Sequence, residues 1–248
     1  MRNRILCLAL LAAAAPAFAI TYGTLDNGRH PQTGALVGKF SSGTFPYCSG
    51  TLISPTVFVT AAHCGSGTSR VTISFDGAIT DSSTLLPGTF HADPQYNQKQ
   101  SDPHDLAVVV LDRPVKGITP ARLPAAGSLG AFSVGAPFTA SGYGSGEVVI
   151  QPGGPVNPYV DVREYAVSTL NAVNPAWLRL SQNAATGDGG TCYGDSGGPN
   201  FIGAGSSETT TIAGTTITGD ALCISSNVIY RLDTPSARNF LGRFVTLP

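Results

Sequence analysis

The chain has 248 residues, of which 42% are hydrophobic and 12% are charged, and its formal net charge is −1. This length and apolar content allow a sizeable core in one or two lobes, while the near-zero net charge excludes the basic field that attracts nucleic acids. Thirty glycines and eighteen prolines are typical of short strands joined by tight turns, so we expect an all-β fold.

Residues 1–19 have the pattern of a secretory signal peptide. Arg2 and Arg4 precede an apolar stretch that contains Cys7, and small residues occupy positions 17 and 19. The stretch is too short to span a membrane. We therefore expect a secreted protein that has no membrane association after the signal peptide is cleaved.

Four cysteines follow the signal peptide: Cys48, Cys64, Cys192 and Cys223. An even number in an oxidising compartment predicts two disulfides, and four cysteines allow three pairings. The local pairing, Cys48 with Cys64 and Cys192 with Cys223, closes the shorter loops. A loop of about 15 residues contributes about 3 kcal/mol in the chain-entropy picture. None of the four has the CxxC spacing of a zinc site, so we expect no metal.

Short runs rich in β-branched residues predict strands in both halves of the chain. In the first half these runs are 35–40, 50–54, 56–60, 70–75 and 105–112. In the second half they are 137–144, 162–170, 176–181, 210–219 and 227–232. Between the two sets, residues 118–130 contain small and rigid breaks without periodicity, so we place the lobe boundary there and expect domains at 20–122 and 123–248.

One helix is predicted, at the end of the chain. Thr234 is a suitable N-cap and Pro235 suits the first turn. An apolar stripe with helical spacing follows, formed by Ala237, Phe240, Leu241 and Phe244. We interpret this stripe as core packing.

Glycines surround Ser196 in the segment "TCYGDSGGPNF", residues 191–201. Glycine destabilises a fold unless the backbone needs a conformation that side chains forbid or must approach another group closely. A nucleophilic serine whose neighbouring N–H groups receive an oxyanion has such a need. An ordinary tight turn is the alternative.

A nucleophilic serine requires a base, and the base requires an orienting carboxylate. Among the four histidines, His63 directly follows an apolar strand and lies beside Cys64. The segment around Ser196 also fits the G-x-S-x-G elbow of α/β-hydrolases, in which the histidine follows the serine. No histidine follows Ser196 in this sequence, so the base must lie upstream and the elbow interpretation fails.

The segments "VTAAHC", "DLAVVVLD" and "CYGDSGGP" resemble the three active-site motifs of the chymotrypsin-like (trypsin-fold) serine proteases. Smaller similarities lie between them, in order, over essentially the whole chain after residue 19. The resemblance implies two packed six-stranded antiparallel β-barrels with a C-terminal α-helix. It also implies a secreted endopeptidase that acts on polypeptides without a cofactor, and we expect a monomer.

The resemblance further implies the roles of individual residues. Ser196 would attack the scissile carbonyl, His63 would take its proton and Asp105 would orient the imidazole. The N–H groups of Gly194 and Ser196 would form the oxyanion hole. Three aspartates could orient His63, and the similarity to the family's Asp-Leu-Ala pattern selects Asp105. We expect the other two, Asp102 and Asp112, to be solvated loop residues.

The substrate pocket departs from the family pattern. The residue six positions before the nucleophile, at the base of the pocket, is Gly190, followed by Thr191. One wall would be formed by the segment ending at Gly219, with Asn227 facing it across the pocket. A glycine at the base carries no charge, so we expect an uncharged pocket that accepts small or apolar side chains.

The predicted signal cleavage is followed at once by "ITYG". In the family that this chain resembles, a new N-terminus commonly pairs with the aspartate before the nucleophile. We therefore expect the α-ammonium of Ile20 to pair with Asp195. A frayed terminus is the alternative.

Two other functions remain open from sequence. Some members of this fold have lost the triad and act as binding proteins, but such chains replace the histidine or the serine, and this chain retains all three residues. A hydrolase of esters or of a cell-wall component would use the same acyl-enzyme chemistry.

Overall fold

Two closed six-stranded antiparallel barrels form the body of the molecule. The structure is a computed structural model that describes residues 20–65, 67 and 69–248, so the predicted signal peptide lies outside the described residues. The predicted fold class is confirmed. Among the described residues, no helix has the length and apolar character needed to cross a membrane.

The first described strand is the short β1 (Thr24–Leu25). The first barrel then follows, with β5 pairing back to β2 to close it. Its strands are β2 (Thr33–Phe40), β3 (Gly43–Ser54), β4 (Val57–Thr60), β5 (Arg70–Ser74), β6 (Leu86–Ala92) and β7 (Ala107–Leu111). Strands β4 and β7 are apolar, almost wholly buried and paired with each other, as continuous apolar runs predict.

The second barrel closes through the pairing of β8 with β11. Its strands are β8 (Pro137–Gly142), β11 (Glu164–Val173), β12 (Trp177–Ser181), β13 (Pro199–Ile202), β14 (Ile212–Gly219) and β15 (Ser226–Arg231). A separate hairpin, β9 (Val149–Gln151) and β10 (Gly154–Val156), projects from it. The sequence boundaries place residues 20–25 in the first domain, but in the structure β1 pairs with β11 of the second barrel.

The predicted C-terminal helix is α1 (Pro235–Leu241). The Thr234 hydroxyl accepts a hydrogen bond from the N–H of Ala237, as the capping pattern predicts. The helix ends at Leu241, so Phe244, expected as the last member of the apolar stripe, lies beyond the helix. Its ring still contacts that of Phe240, with centroids 5.3 Å apart, and it packs against the same core.

A buried group of charged side chains joins the segment before β2 to the second barrel. The Asp26 carboxylate accepts hydrogen bonds from Arg163 Nε, at 2.9 Å, and from His30 Nδ1. The other ring nitrogen of His30 lies 2.8 Å from Glu208 Oε1. Burial raises the pKa of Asp26, but the hydrogen bonds from His30 and the positive charge of Arg163 outweigh it and hold the pKa below the ordinary 3.8.

We predict that Asp26→Ala destabilises the fold, because Arg163 would remain buried without its carboxylate. Removing one partner of a buried ion pair costs about 3–5 kcal/mol, which for a chain of this size lowers the Tm by roughly 10 °C. Thermal unfolding followed by circular dichroism at about pH 7 measures the change.

The lowered pKa of Asp26 gives this effect a pH dependence. A carboxyl group whose pKa falls on folding contributes stability above its unfolded pKa of 3.8, and that contribution is lost as the pH falls through its folded pKa. The difference in Tm should therefore shrink at about pH 3. Asp112→Ala is the control, because Asp112 pairs with Arg70 at the exposed surface, and it should change the Tm little. Equal effects of the two substitutions would contradict the assignment.

Candidate active site

His63 is held by Asp105 through two hydrogen bonds. It lies in a short 3-10 helix, Ala62–Cys64, directly after β4. Its backbone N–H donates to Asp105 Oδ1 at 2.9 Å, and its ring Nδ1 lies 2.8 Å from Asp105 Oδ2. Because an ionised carboxylate only accepts, Nδ1 carries the proton and Nε2 is left as an acceptor. The Asp105 side chain is 2% exposed and that of His63 is 23% exposed, so the imidazole reaches solvent while its partner does not.

The sequence predicts Asp102 to be a solvated loop residue; it lies in a loop with a side chain that is 35% exposed, and it also bonds to the second barrel. Its carboxylate accepts hydrogen bonds from the Tyr230 hydroxyl at 2.8 Å and the Ser236 hydroxyl at 2.6 Å. Partial burial raises the pKa of Asp102, but these hydroxyl groups, together with the backbone N–H and the charge of His104, outweigh it and lower the pKa. Asp102 therefore ties the segment before Asp105 to β15 and α1 of the second barrel. Asp112, the other competitor, is exposed and paired with Arg70.

The loop that carries Ser196 is tied to both barrels. The Ser196 carbonyl accepts a hydrogen bond from the N–H of Ser49, in β3 of the first barrel, at 2.8 Å. The N–H of Gly197 donates to the carbonyl of Thr216, in β14 of the second barrel, at 2.7 Å. Neither the N–H of Gly194 nor that of Ser196 has an acceptor within the described part of the chain.

Two glycines of this loop have backbone conformations that favour glycine. Gly194 has φ +97° and Gly197 has φ +81°, values that side chains disfavour. A Cβ on Gly197 would also lie 2.0 Å from Thr60 Oγ1 and 2.5 Å from the carbonyl oxygen of Ser49. The need for glycine at Gly197 therefore comes from both conformation and close approach.

His63 and Ser196 both line a cavity of about 490 Å³. Of the four residues predicted to form the pocket, Thr191 and Gly219 line this cavity. The other two are buried beside other side chains. A Cβ on Gly190 would lie 2.2 Å from Gln182 Oε1, and Asn227 Nδ2 donates to Asn200 Oδ1 at 3.0 Å.

Sequence reasoning did not identify Asp220 and Tyr193, which also line the cavity. The Asp220 carboxylate accepts backbone N–H groups from its own loop, those of residues 224, 225 and 226, at 2.8–3.1 Å. The Tyr193 hydroxyl donates to the carbonyl of Ala221 at 3.0 Å. Both side chains therefore fix the loop that follows β14 at the rim of the cavity.

Two disulfides flank this cavity. Cys48 is joined to Cys64, beside His63, and Cys192 is joined to Cys223, next to the loop that carries Ser196. In the described part of the chain, one cluster of potential metal-ligating atoms is found: Cys48, His63 and Cys64. Since both sulfurs form the disulfide, this cluster offers no thiolate to a metal.

The predicted partner of Ile20, Asp195, is wholly buried behind the loop. Its carboxylate accepts the N–H groups of Gly144 at 2.9 Å and Cys192 at 2.8 Å. The backbone nitrogen of Ile20 donates instead to Glu164 Oε2, at 3.1 Å, a residue that sequence reasoning did not identify. Burial, together with the negative charge of Glu164, raises the pKa of Asp195 to about 8 despite the two backbone hydrogen bonds.

Comparison with known proteins identifies the family. Residues 26–236 match the family model described as Trypsin. The chain belongs to the trypsin family. This membership makes it a serine endopeptidase, and it agrees with the two barrels and the two disulfides.

Three known proteins are similar to this chain over most of its length. Thrombin-like enzyme acutin of Deinagkistrodon acutus is 31% identical over 174 residues, 66% of this chain and 72% of the relative. A trypsin of Phaedon cochleariae is 32% identical over 181 residues, 63% of this chain and 64% of the relative. A trypsin of Saccharopolyspora erythraea is 30% identical over 185 residues, 70% of this chain and 77% of the relative.

We predict that Gly197→Ala reduces peptidase activity at least about a hundredfold and lowers the Tm, because the added Cβ collides with Thr60 and Ser49. Gly187→Ala is the matched control. Gly187 has the same φ, +81°, but a Cβ added there would meet no atom within 4 Å. The control therefore carries the conformational penalty alone and should keep its activity. Similar losses in both variants would show that backbone strain, and not close approach, explains the glycine.

Proposed function

We propose that this chain is a secreted serine endopeptidase that hydrolyses peptide bonds of polypeptides through Ser196, His63 and Asp105, as a monomer and without a cofactor. The observation that carries the proposal is the pair of hydrogen bonds between Asp105 and His63, at the edge of a cavity that His63 shares with Ser196. All three residues belong to one chain. Family membership and the similarity to trypsins support the same activity.

His63 is the general base in this proposal. With the proton on Nδ1 directed to Asp105, Nε2 is free to accept the proton of the Ser196 hydroxyl as its oxygen attacks the scissile carbonyl carbon. The imidazolium then donates that proton to the leaving amine, and an acyl-enzyme remains on Ser196. Water deacylates the enzyme by the same route, which restores the Ser196 hydroxyl and releases the carboxylic acid.

The N–H groups of Gly194 and Ser196 are proposed to stabilise the oxyanion. Both lack an acceptor within the described chain, whereas the N–H groups of Asp195 and Gly198 donate within the loop. Loss of one such donor costs about 3 kcal/mol in the transition state. The positive φ of Gly194 supports this role, because it sets the direction of the peptide N–H group.

The pocket is proposed to accept small or apolar side chains. Thr191 and Gly219 contribute small, uncharged groups to its lining. Gly190, predicted as the base, packs against Gln182 outside the lining and carries no charge. Asp220 is the one acidic residue lining this cavity among the described residues. Its carboxylate oxygens accept loop N–H groups, which offset the negative charge locally.

Cleavage of residues 1–19 is proposed to complete the active site. The cut would turn the buried backbone nitrogen of Ile20 into an α-ammonium group near the carboxyl group of Asp195, the residue before the nucleophile. The complete burial of both residues supports this part of the proposal, because a buried carboxylate needs a positive partner. The two disulfides support export to an oxidising compartment.

We predict that Ser196→Ala and His63→Ala each reduce kcat/KM by about 10⁴–10⁶ while the fold is retained. Cleavage of a peptide library measures the activity, and a serine-directed phosphonate followed by intact mass reports whether Ser196 reacts. His91→Ala is the matched control, because His91 is exposed on β6 and contacts Phe244, and it should keep its activity. A tenth of the wild-type rate in either triad variant would exclude this triad.

We predict that kcat/KM falls as the pH is lowered from about 8 to about 5, because a protonated imidazole cannot accept the Ser196 proton. Initial rates on one peptide substrate measure the profile, and the Tm at each pH serves as the control for unfolding. A profile that stays flat where the protein is folded would contradict a histidine base.

A further inference from the structure

The segment that begins at Ile20 is built into the second barrel. The Ile20 side chain is fully buried. Thr21 pairs with Gly190 through two backbone hydrogen bonds of 3.0 Å, and β1 pairs with Glu164 and Tyr165 of β11. These contacts fix the position of the Ile20 nitrogen relative to both Gly190 and β11.

Glu164 meets that nitrogen directly. Its Oε2 accepts the Ile20 N–H at 3.1 Å, and the residue is 1% exposed. In the β8–β11 pairing, Glu164 lies opposite Gly142. A Cβ on Gly142 would lie 2.1 Å from Asp195 Oδ1, so the absent side chain leaves room for the Asp195 carboxylate beside the same strand pair.

A second carboxyl group, that of Asp195, is buried beside the strand pair that carries Glu164. Asp195 is 0% exposed, and the negative charge of Glu164 is one of the reasons why its pKa is raised. Burying charged carboxylates is expensive unless a cation accompanies them.

We propose that Glu164 is a positioning residue that binds the α-ammonium group of Ile20 and so holds it beside Asp195. The ammonium has three donors, which suffices for Glu164 and for a second carboxyl group. The effect of Glu164 on activity rests on the proposed function. It would act through Asp195, which precedes Ser196, and through Thr21, which pairs with Gly190. Loss of the ammonium contact would loosen the loop that carries Ser196 and the segment at Gly190, which precedes the cavity-lining Thr191, together.

The chemical reactivity of the Ile20 amine tests Glu164 without depending on catalysis. The chain starting at Ile20, with Ser196→Ala, is treated with acetic anhydride near neutral pH, and the mass of its N-terminal peptide is followed over time. The amine should be protected in this protein and should react at least about tenfold faster when Glu164→Gln is added. Equal rates in the two proteins would overturn the proposal.

Glu147→Gln is the matched control for this labelling. Glu147 makes the same kind of contact with a nearby residue of the segment, as its Oε1 accepts the N–H of Tyr22 at 2.6 Å near the surface. Glu147 contacts Tyr22 and not the Ile20 nitrogen, so the amine of Ile20 should remain protected. Exposure of the amine in Glu147→Gln as well would mean that general loosening of the segment, and not Glu164, controls its reactivity.

Activity in the Ser196-containing protein tests the consequence. In the chain starting at Ile20, Glu164→Gln should lower kcat/KM roughly 10- to 100-fold, and Glu164→Asp, which keeps the charge, should recover part of it. With one alanine added before Ile20, Glu164→Gln should cause no further loss. An equal loss in the extended chain would show a merely structural role and overturn the proposal.

The two readouts separate this inference from the proposed function. If the unsubstituted chain neither cleaves peptides nor reacts with the phosphonate, the proposed function fails, while amine protection still decides the role of Glu164. If the chain is active but its amine is as reactive as in Glu164→Gln, the role of Glu164 fails alone. Glu164→Asp guards against misfolding, because it should retain both the wild-type Tm within a few degrees and partial protection.

Discussion

Ser49, in β3 of the first barrel, holds the loop that carries Ser196 in the second barrel. Its N–H donates to the carbonyl of Ser196 and its hydroxyl donates to the carbonyl of Gly194, at 2.8 and 3.0 Å. Its own hydroxyl oxygen accepts the N–H of Tyr143, and its carbonyl accepts the hydroxyl of Thr60. Because Ser49 is fully buried, none of these groups has water as an alternative partner. The loop that carries Ser196 in the second barrel is therefore held against β3 of the first barrel.

The local pattern predicted most strands, and one that it missed, β6, has an identifiable cause. Strand β6 contains Pro87 and Gly88, which lower the strand propensity of its sequence. It exists because β5 and β7 pair with it on both sides. A Cβ on Gly88 would lie 2.6 Å from Val109 Cγ1, so the glycine that obscures the pattern is required by packing. Tertiary contacts of this kind are invisible in a sequence window.

The residues of the candidate site that belong to a sequence motif were predictable. The residues of its substrate pocket were not, because they depend on strand register. The motifs around His63 and Ser196 identify residues that meet in one cavity. The pocket depended on the strand pairing of β14 with β15, which contains an irregularity between Thr216 and Thr218 that shifts the register. The position of Asn227 outside the lining could not be read from spacing, because a bulge changes which residue of the paired strands faces the cavity.

Glu164 did leave a signal in the sequence. Side chains of β11 alternate between buried and half-buried positions from Glu164 onward, so the residue lies on the inward face with Ala166. An acid at an inward strand position is unusual and points to a buried positive partner. Asp102 left no comparable signal, because its partners, Tyr230 and Ser236, are distant in sequence and belong to the other barrel.

The pairing of β1 with the second barrel has a consequence for the order of assembly. Ile20 and Glu164 are separated by 144 positions, and Thr21 reaches its partner Gly190 across 169 positions. Contacts of such long sequence separation form late, because the intervening chain must first lose its conformational freedom. A chain that is made from its N-terminus therefore presents this segment first and docks it only after β11 is in place. In the secreted enzyme proposed above, the active site would therefore be completed only after the chain has been made through Gly190 and β11 has joined the second barrel.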